Sequence, residues 1–294
     1  MTQSWKQNAS CCIGALGDRN EQPELFSRSW CGGLSALYWR VPIFVWALTT
    51  TIWSILCFWG STDKFLLYMT HWGLLLILIE SFFGIIAAGK NYCELSGHTT
   101  TLSTSKAVNK RAKSSDYGSF NEPLKNENMK PALPWYLKGY WILYNISIPV
   151  AFLITVFYWA ILNTSVKKIN YAPNPVLDVM LHGVNSLVML VELTMSGHPS
   201  RLLHIMQPLY FALVYLIFTL TYYIAGGLDP WGHVFIYPVL DWSKPEQTLV
   251  VAVLTGLFLA LMHVLAVAIA TARDLIARRC FTTPSGVYND GFEP

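Results

Sequence analysis

Two apolar segments of the sequence each contain, near their first residues, a polar side chain that could take part in acyl transfer. Thr70 lies five residues into the segment 65–88, and His182 lies five residues into the segment 177–195. If both segments are helices that start at the same membrane surface, a rise of about 1.5 Å per residue places both side chains roughly 7–8 Å below it. A threonine hydroxyl beside a neutral histidine is a nucleophile with a general base. Thr70 and His182 are therefore candidate catalytic residues.

Two further polar residues accompany His182 in its segment. Asn185, one helical turn below, could donate a hydrogen bond to an oxyanion or fix the imidazole. Asp178, four residues above, could orient the other ring nitrogen. A structural interpretation stays open, because threonines in membrane helices often bond their own backbone and a single histidine often has a structural partner.

A second set of polar residues is expected deeper in the same segments. Glu80 and Glu192 each lie ten residues beyond the candidate catalytic side chain of their segment, and His263 and Asn145 reach a similar level. The sequence favours a structural polar cluster that locks helix packing. Proton or cation transport through this layer is the alternative. Since two ionised carboxylates in lipid repel, we expect one acid to be protonated or paired.

Motifs for bound metals and cofactors are absent from the sequence. It contains no HExxH, GxSxG, Walker or CxxC pattern. We therefore expect no cofactor and no metal ion, and any chemistry would depend on side chains alone.

The elements that must position these residues are transmembrane helices. The chain is 53% hydrophobic and 13% charged, whereas soluble domains carry about 25% charged residues. Six apolar segments are long enough to cross a hydrocarbon core of about 30 Å. The predicted fold is an all-α integral membrane bundle of six helices, near residues 41–60, 65–88, 139–162, 177–195, 205–226 and 247–272.

The distribution of basic residues predicts the orientation in the membrane. Sixteen Lys and Arg residues fall in one set of alternating loops and ends and four in the other. By the positive-inside rule both termini are cytosolic. The expected location of the protein is the plasma membrane or the endoplasmic reticulum. Residues 1–40 would form a cytosolic segment, 41–272 the transmembrane domain with a disordered cytosolic loop at 90–134, and 273–294 a cytosolic tail. We expect membrane lipids as partners, with other membrane proteins as a second class; the net charge of +3 is too small to indicate nucleic acid.

Several short segments, in order along the chain, resemble the protein rolling stone family. They cover most of the chain outside 90–134, and are FSRSW at 26–30, HGVNS at 182–186, QPLY at 207–210, YYIAGG at 222–227 and YPVLDW at 237–242. The resemblance implies a multi-pass membrane protein acting in cell-surface or membrane processes such as myoblast or cell fusion.

A more distant resemblance is to the androgen-induced protein family of membrane threonine hydrolases. Tyr68-Met69-Thr70 near the start of the second span and His182 near the start of the fourth look like that family's intramembrane threonine and histidine. This resemblance implies hydrolysis of fatty-acid esters of hydroxy fatty acids. Two hypotheses follow: a membrane protein for cell fusion without chemistry of its own, and an intramembrane lipid-ester hydrolase.

Overall fold

The computed structural model describes residues 23–31, 34–58, 62–109, 133–162 and 174–281, and over these ranges the chain is mostly helical. Six helices contain a segment long and apolar enough to cross a membrane, which confirms the predicted all-α bundle. They are α1 (Leu37–Leu56), α2 (Met69–Asn109), α3 (Trp135–Leu162), α4 (Pro175–Met195), α5 (Leu202–Ile224) and α6 (Pro245–Phe281).

Three helices extend beyond the predicted boundaries of the transmembrane domain and its loop. α2 continues to Asn109, where a disordered loop was predicted from residue 90, because residues 90–109 contain no proline and a single glycine to interrupt the helix. α6 continues to Phe281, into the predicted tail, and α1 begins at Leu37, within the predicted N-terminal segment. Residues 110–132 of the predicted loop and 282–294 of the tail lie outside the described residues.

Helices α2 and α4 lie next to each other and run in the same direction. Near their first residues, Thr70 Oγ1 is 3.3 Å from His182 Nε2. Further along both helices, the Arg40 side chain donates to the Gly84 carbonyl of α2 and to Glu192 of α4, each at 3.0 Å. Because the two contacts follow in the same order along α2 and α4, the helices are parallel.

Helix α3 forms the centre of the bundle and contacts α2, α4, α5 and α6. Its residues Ile148 and Val150 are almost completely buried. By contrast, α5 and α6 present large apolar side chains such as Leu213 and Leu257 on the outside of the bundle. In lipid, such exposed apolar faces are the expected surface of a membrane protein.

The segment 225–244, which connects α5 to α6, folds over one end of the bundle; we call it the lid and this end the lid end. Gly226 has a φ of 74°, a left-handed conformation that suits glycine, and turns the chain out of α5. Lys64 Nζ donates to the Asp229 carbonyl at 3.1 Å, and the Met69 amide donates to the Tyr237 hydroxyl at 3.0 Å. The lid is thereby fixed to the start of α2, where Thr70 lies.

Candidate active site

Three side chains form a hydrogen-bonded relay at the lid end. Thr70 Oγ1 lies 3.3 Å from His182 Nε2, and His182 Nδ1 lies 2.9 Å from Asp178 Oδ1. If Nδ1–H donates to the Asp178 carboxylate, Nε2 has a lone pair that can accept the Thr70 hydroxyl hydrogen. The structure thus brings these three predicted residues together in the order nucleophile, base and orienting acid.

Two π-helical turns position the imidazole of His182. His182 belongs to the turn Met180–Val184 of α4, and Tyr158 begins the turn Tyr158–Leu162 of α3. The two rings stack with centroids 3.6 Å apart and planes within 9°. Trp159 Nε1 also donates to the His182 carbonyl at 3.1 Å. Such π turns are rare and often occur at functional sites, and here they fix the ring that faces Thr70.

Tyr237 brings a third hydroxyl to the site from the lid. Its oxygen accepts the Met69 amide hydrogen, one residue before Thr70 in the chain. Burial raises the pKa of Tyr237 to about 12, so the hydroxyl keeps its proton at neutral pH and can act as a donor. The sequence analysis did not identify Tyr158 or Tyr237 as site residues. For Tyr237 a signal existed, since it begins the family-like segment 237–242.

A cavity of about 250 Å³ opens beside Thr70 between α2, α3, α5, α6 and the lid. Thr70 and Tyr237 line it at the lid end, and most of its wall is aliphatic or aromatic. Leu213 lines the cavity and is also 50% exposed on the outside of α5. The cavity therefore reaches the bundle surface that would face lipid. The apolar wall includes Leu153, Ile154, Phe157, Leu209, Ala212, Leu240 and Ala252.

A second, much smaller cavity of about 10 Å³ lies against the relay itself. Thr70, His182, Tyr158 and Tyr237 are among its lining residues. Its volume is close to the roughly 10–15 Å³ that one water molecule needs. Thr70 therefore borders both cavities, and His182 borders the small one.

Asn185, predicted as an oxyanion donor, is directed elsewhere. Its Oδ1 accepts from Thr155 Oγ1 at 3.1 Å and from the Ser186 amide at 2.7 Å, and Asn185 lines neither cavity. The physical reason is the π turn Met180–Val184, whose wider winding rotates Asn185 away from the face that carries His182. The Asn185 side chain therefore contacts Thr155 of α3 and the Ser186 amide rather than Thr70.

His71 borders the small cavity, but its ring nitrogens contact Ser54 of α1 and the Phe65 carbonyl rather than Thr70. Its Nε2 lies 3.3 Å from Ser54 Oγ, its Nδ1 bonds to the Phe65 carbonyl, and its ring stacks on Phe65. Across the described ranges, no group of three or more His, Cys, Asp or Glu side chains is placed to hold a metal ion.

The deeper acids occupy a separate network toward the other end of the bundle. Glu192 pairs with Arg40 at 3.0 Å and also accepts from Trp39 Nε1 at 2.7 Å and Tyr140 OH at 2.5 Å. Arg40, one of the sixteen basic residues assigned to the cytosolic side, is only 1% exposed. Glu80 is completely buried, and within the described part of the chain neither of its carboxylate oxygens has a hydrogen-bond partner.

The other two members of the predicted layer bond to different groups. Asn145 Nδ2 donates to the Trp141 carbonyl and lies 2.9 Å from His204 Nδ1. His263 Nε2 lies 3.2 Å from the Arg201 carbonyl oxygen. Among the residues with described side chains, no hydrogen bond joins any two of the four predicted members. Glu192 binds Arg40 of α1, and Glu80 lies within electrostatic range of this pair, whereas Asn145 and His263 contact other groups.

Comparison with known proteins identifies the family. The family model described as protein rolling stone matches residues 17–285. Protein rolling stone of Drosophila melanogaster is 31% identical over 199 residues, which are 68% of this chain and 63% of that protein, so the chain spans less than two thirds of this relative's length. No solved structure matches the chain. With a match over most of its length, the chain belongs to the protein rolling stone family.

Proposed function

We propose that this protein is an intramembrane hydrolase of lipid esters, with Thr70 as nucleophile, His182 as general base and Asp178 as the residue that positions the imidazole. The observation that carries the proposal is the relay of Thr70, His182 and Asp178 at the edge of an apolar cavity. The hydrogen-bonded relay and the apolar cavity, taken separately, each have a structural explanation. A nucleophile and base at the end of a lipid-sized space correspond to the needs of ester hydrolysis inside a membrane.

In the first step, Thr70 Oγ1 attacks the ester carbonyl carbon while its proton passes to His182 Nε2. The carbonyl oxygen becomes an oxyanion, and the hydroxyl of Tyr237, which lines the same cavity as Thr70, would donate a hydrogen bond to it. When the intermediate collapses, the bond to the alcohol breaks and His182 gives its proton to the departing alkoxide. The products of this step are the free alcohol and an acyl ester on Thr70.

In the second step, water hydrolyses the acyl–threonine ester. The small cavity that borders Thr70 and His182 offers a place for this water beside the base. His182 takes one proton from the water as its oxygen attacks the acyl carbon, and returns the proton to Thr70 Oγ1 when the intermediate breaks down. The fatty acid leaves, and the relay is restored without any additional reactant.

The experiment compares two threonine variants of the full chain in lipid vesicles with an octanoyl ester of a chromogenic alcohol. Thr70→Ala is expected to lose at least 100-fold of the turnover. Thr51→Ala is the matched control, because buried Thr51 bonds its own backbone at Ala47 and touches neither cavity. Turnover that survives in Thr70→Ala at the level of the control would contradict the proposal.

Family membership supports a second proposal, a role in cell-surface processes such as cell fusion. The test is a fusion assay in cells that depend on this protein, with wild type and the double variant Thr70→Ala, His182→Ala delivered equally to the surface. Normal fusion with the double variant supports a role separate from catalysis. Loss of fusion would instead connect fusion to the relay.

A further inference from the structure

We propose that the large cavity holds one unbranched acyl chain of the substrate ester. The small size of Gly256 in α6 determines how long a chain the cavity accepts. This inference rests on the proposed hydrolase function for its orientation, because it places the carbonyl end of the chain at Thr70. Its direct observations are the shape, size and wall of the cavity.

The cavity extends from the lid toward the middle of the bundle. Thr70 lies in the first turn of α2 and Leu240 belongs to the lid, which together form the lid end of the cavity. Gly256 lies eleven residues after Pro245, the first residue of α6, and so about 16 Å along that helix. A chain that begins at Thr70 and follows the cavity therefore reaches Gly256 with its distal carbons.

The volume of the cavity fits one acyl chain. A cavity of about 150 Å³ lined by apolar side chains holds one benzene molecule, which has six carbon atoms. In proportion, 250 Å³ holds roughly ten carbon atoms. Two acyl chains or a sterol need more room, so we expect esters of a single medium-length acyl chain, with any longer chain extending past Leu213 toward lipid.

Gly256 keeps the deep part of the cavity open. A Cβ added to Gly256 would meet no heavy atom within 4 Å, whereas a Cβ added to Gly73 would come within 2.5 Å of Ile154 Cδ1. A side chain at residue 73 would thus collide with the neighbouring helix α3. A side chain at residue 256 would enter empty space. Ala252, one turn earlier on the same face of α6, and Ala212 of α5 extend this wall of small residues.

The test is chain-length-dependent binding to the full-length protein in nanodiscs, measured with radiolabelled fatty acids of 6, 8, 10, 12 and 16 carbons. Gly256→Leu is expected to weaken binding of the 10- and 12-carbon acids at least tenfold and to leave the 6-carbon acid within twofold of wild type. Gly89→Leu is the matched control, because a Cβ at Gly89 also meets no atom within 4 Å and Gly89 does not line the cavity. Thermal denaturation midpoints of both variants confirm folding.

Each result bears on the proposal. Wild type without saturable fatty-acid binding, or Gly256→Leu with an unchanged or uniformly weakened profile, would overturn it. Fatty-acid binding can be measured without ester turnover, so the binding assay and the hydrolysis assay test the two proposals separately. A length profile shortened by Gly256→Leu in a protein that hydrolyses no ester would leave the acyl site standing and remove the catalytic function.

Discussion

At the scale of single residues, the proposed proton transfer from Thr70 to His182 depends on which nitrogen of His182 carries hydrogen. The Asp178 carboxylate lies 2.9 Å from Nδ1 and is 20% exposed, and it favours the tautomer with Nδ1–H. Stacking on Tyr158 prevents the ring from turning away from Thr70. In the proposed mechanism Asp178 therefore acts through His182, and its side chain lines neither cavity.

Asp178→Asn tests this positioning role. The amide can donate to Nδ1 and so stabilise the wrong tautomer, and we expect the rate of ester hydrolysis to fall roughly 100-fold or more with little change in KM. The pH–rate profile should also shift, which loss of a purely structural contact would not cause. Asp274→Asn is the control, since Asp274 pairs with Arg273 outside the site. An unchanged pH–rate profile would argue against the orienting role.

A second prediction concerns the buried pair of Arg40 and Glu192. Glu192→Gln leaves the Arg40 guanidinium buried without its countercharge, and breaking such a pair costs about 3–5 kcal/mol. The thermal denaturation midpoint in detergent should fall clearly below that of wild type. Glu246→Gln, at an exposed position at the start of α6, should leave the midpoint unchanged. Equal midpoints for the two variants would mean that the pair does not stabilise the bundle.

At the scale of the elements, the six spans could be predicted because each is an apolar segment of membrane-crossing length. The common depth of Thr70 and His182 could be predicted as well, because the rise per residue is fixed in a helix. Tyr158 and Tyr237 could not, because their positions depend on a π turn and on the folding of the lid. The burial of Arg40 could not be predicted either, because a charge at the first turn of a span usually remains at the membrane surface.

The N-terminal segment 23–31 is an element that the sequence treated as part of a cytosolic extension. In the structure it packs against the loop after α4, where the Gly197 amide donates to the Arg28 carbonyl at 3.1 Å. Phe26 is completely buried and stacks on His198. Burial lowers the pKa of His198, so the ring is neutral and suited to this apolar contact.

Gly197→Ala should detach this segment. A Cβ at residue 197 would lie 2.8 Å from the Arg28 carbonyl oxygen and 3.3 Å from that of Leu25, and backbone atoms cannot move aside as a side chain can. We expect faster tryptic cleavage after Arg28 in folded protein. Gly89→Ala, where an added Cβ meets no neighbour, should be cleaved at the wild-type rate. Identical cleavage of both variants would contradict the close contact.

At the scale of the whole molecule, the lid end and the far end of α6 should lie on opposite sides of the membrane. The positive-inside rule predicts that the lid faces outward. Lys244→Cys in the lid and Arg279→Cys near the end of α6, in a chain whose native cysteines are replaced by serine, place one exposed thiol on each side. A membrane-impermeant maleimide should label the first on intact cells and the second only after permeabilisation. The reverse pattern would invert the orientation.

In the proposed function, lipid enters the apolar cavity from the side of the bundle and reaches Thr70 beneath the lid. The most direct test of this account is to treat the full-length protein in vesicles with an alkyl fluorophosphonate and to locate the adduct by peptide mass spectrometry. The account predicts one adduct on Thr70, absent from His182→Ala and reduced by prior saturation with decanoic acid. An adduct on another residue, or no adduct in folded protein, would contradict it.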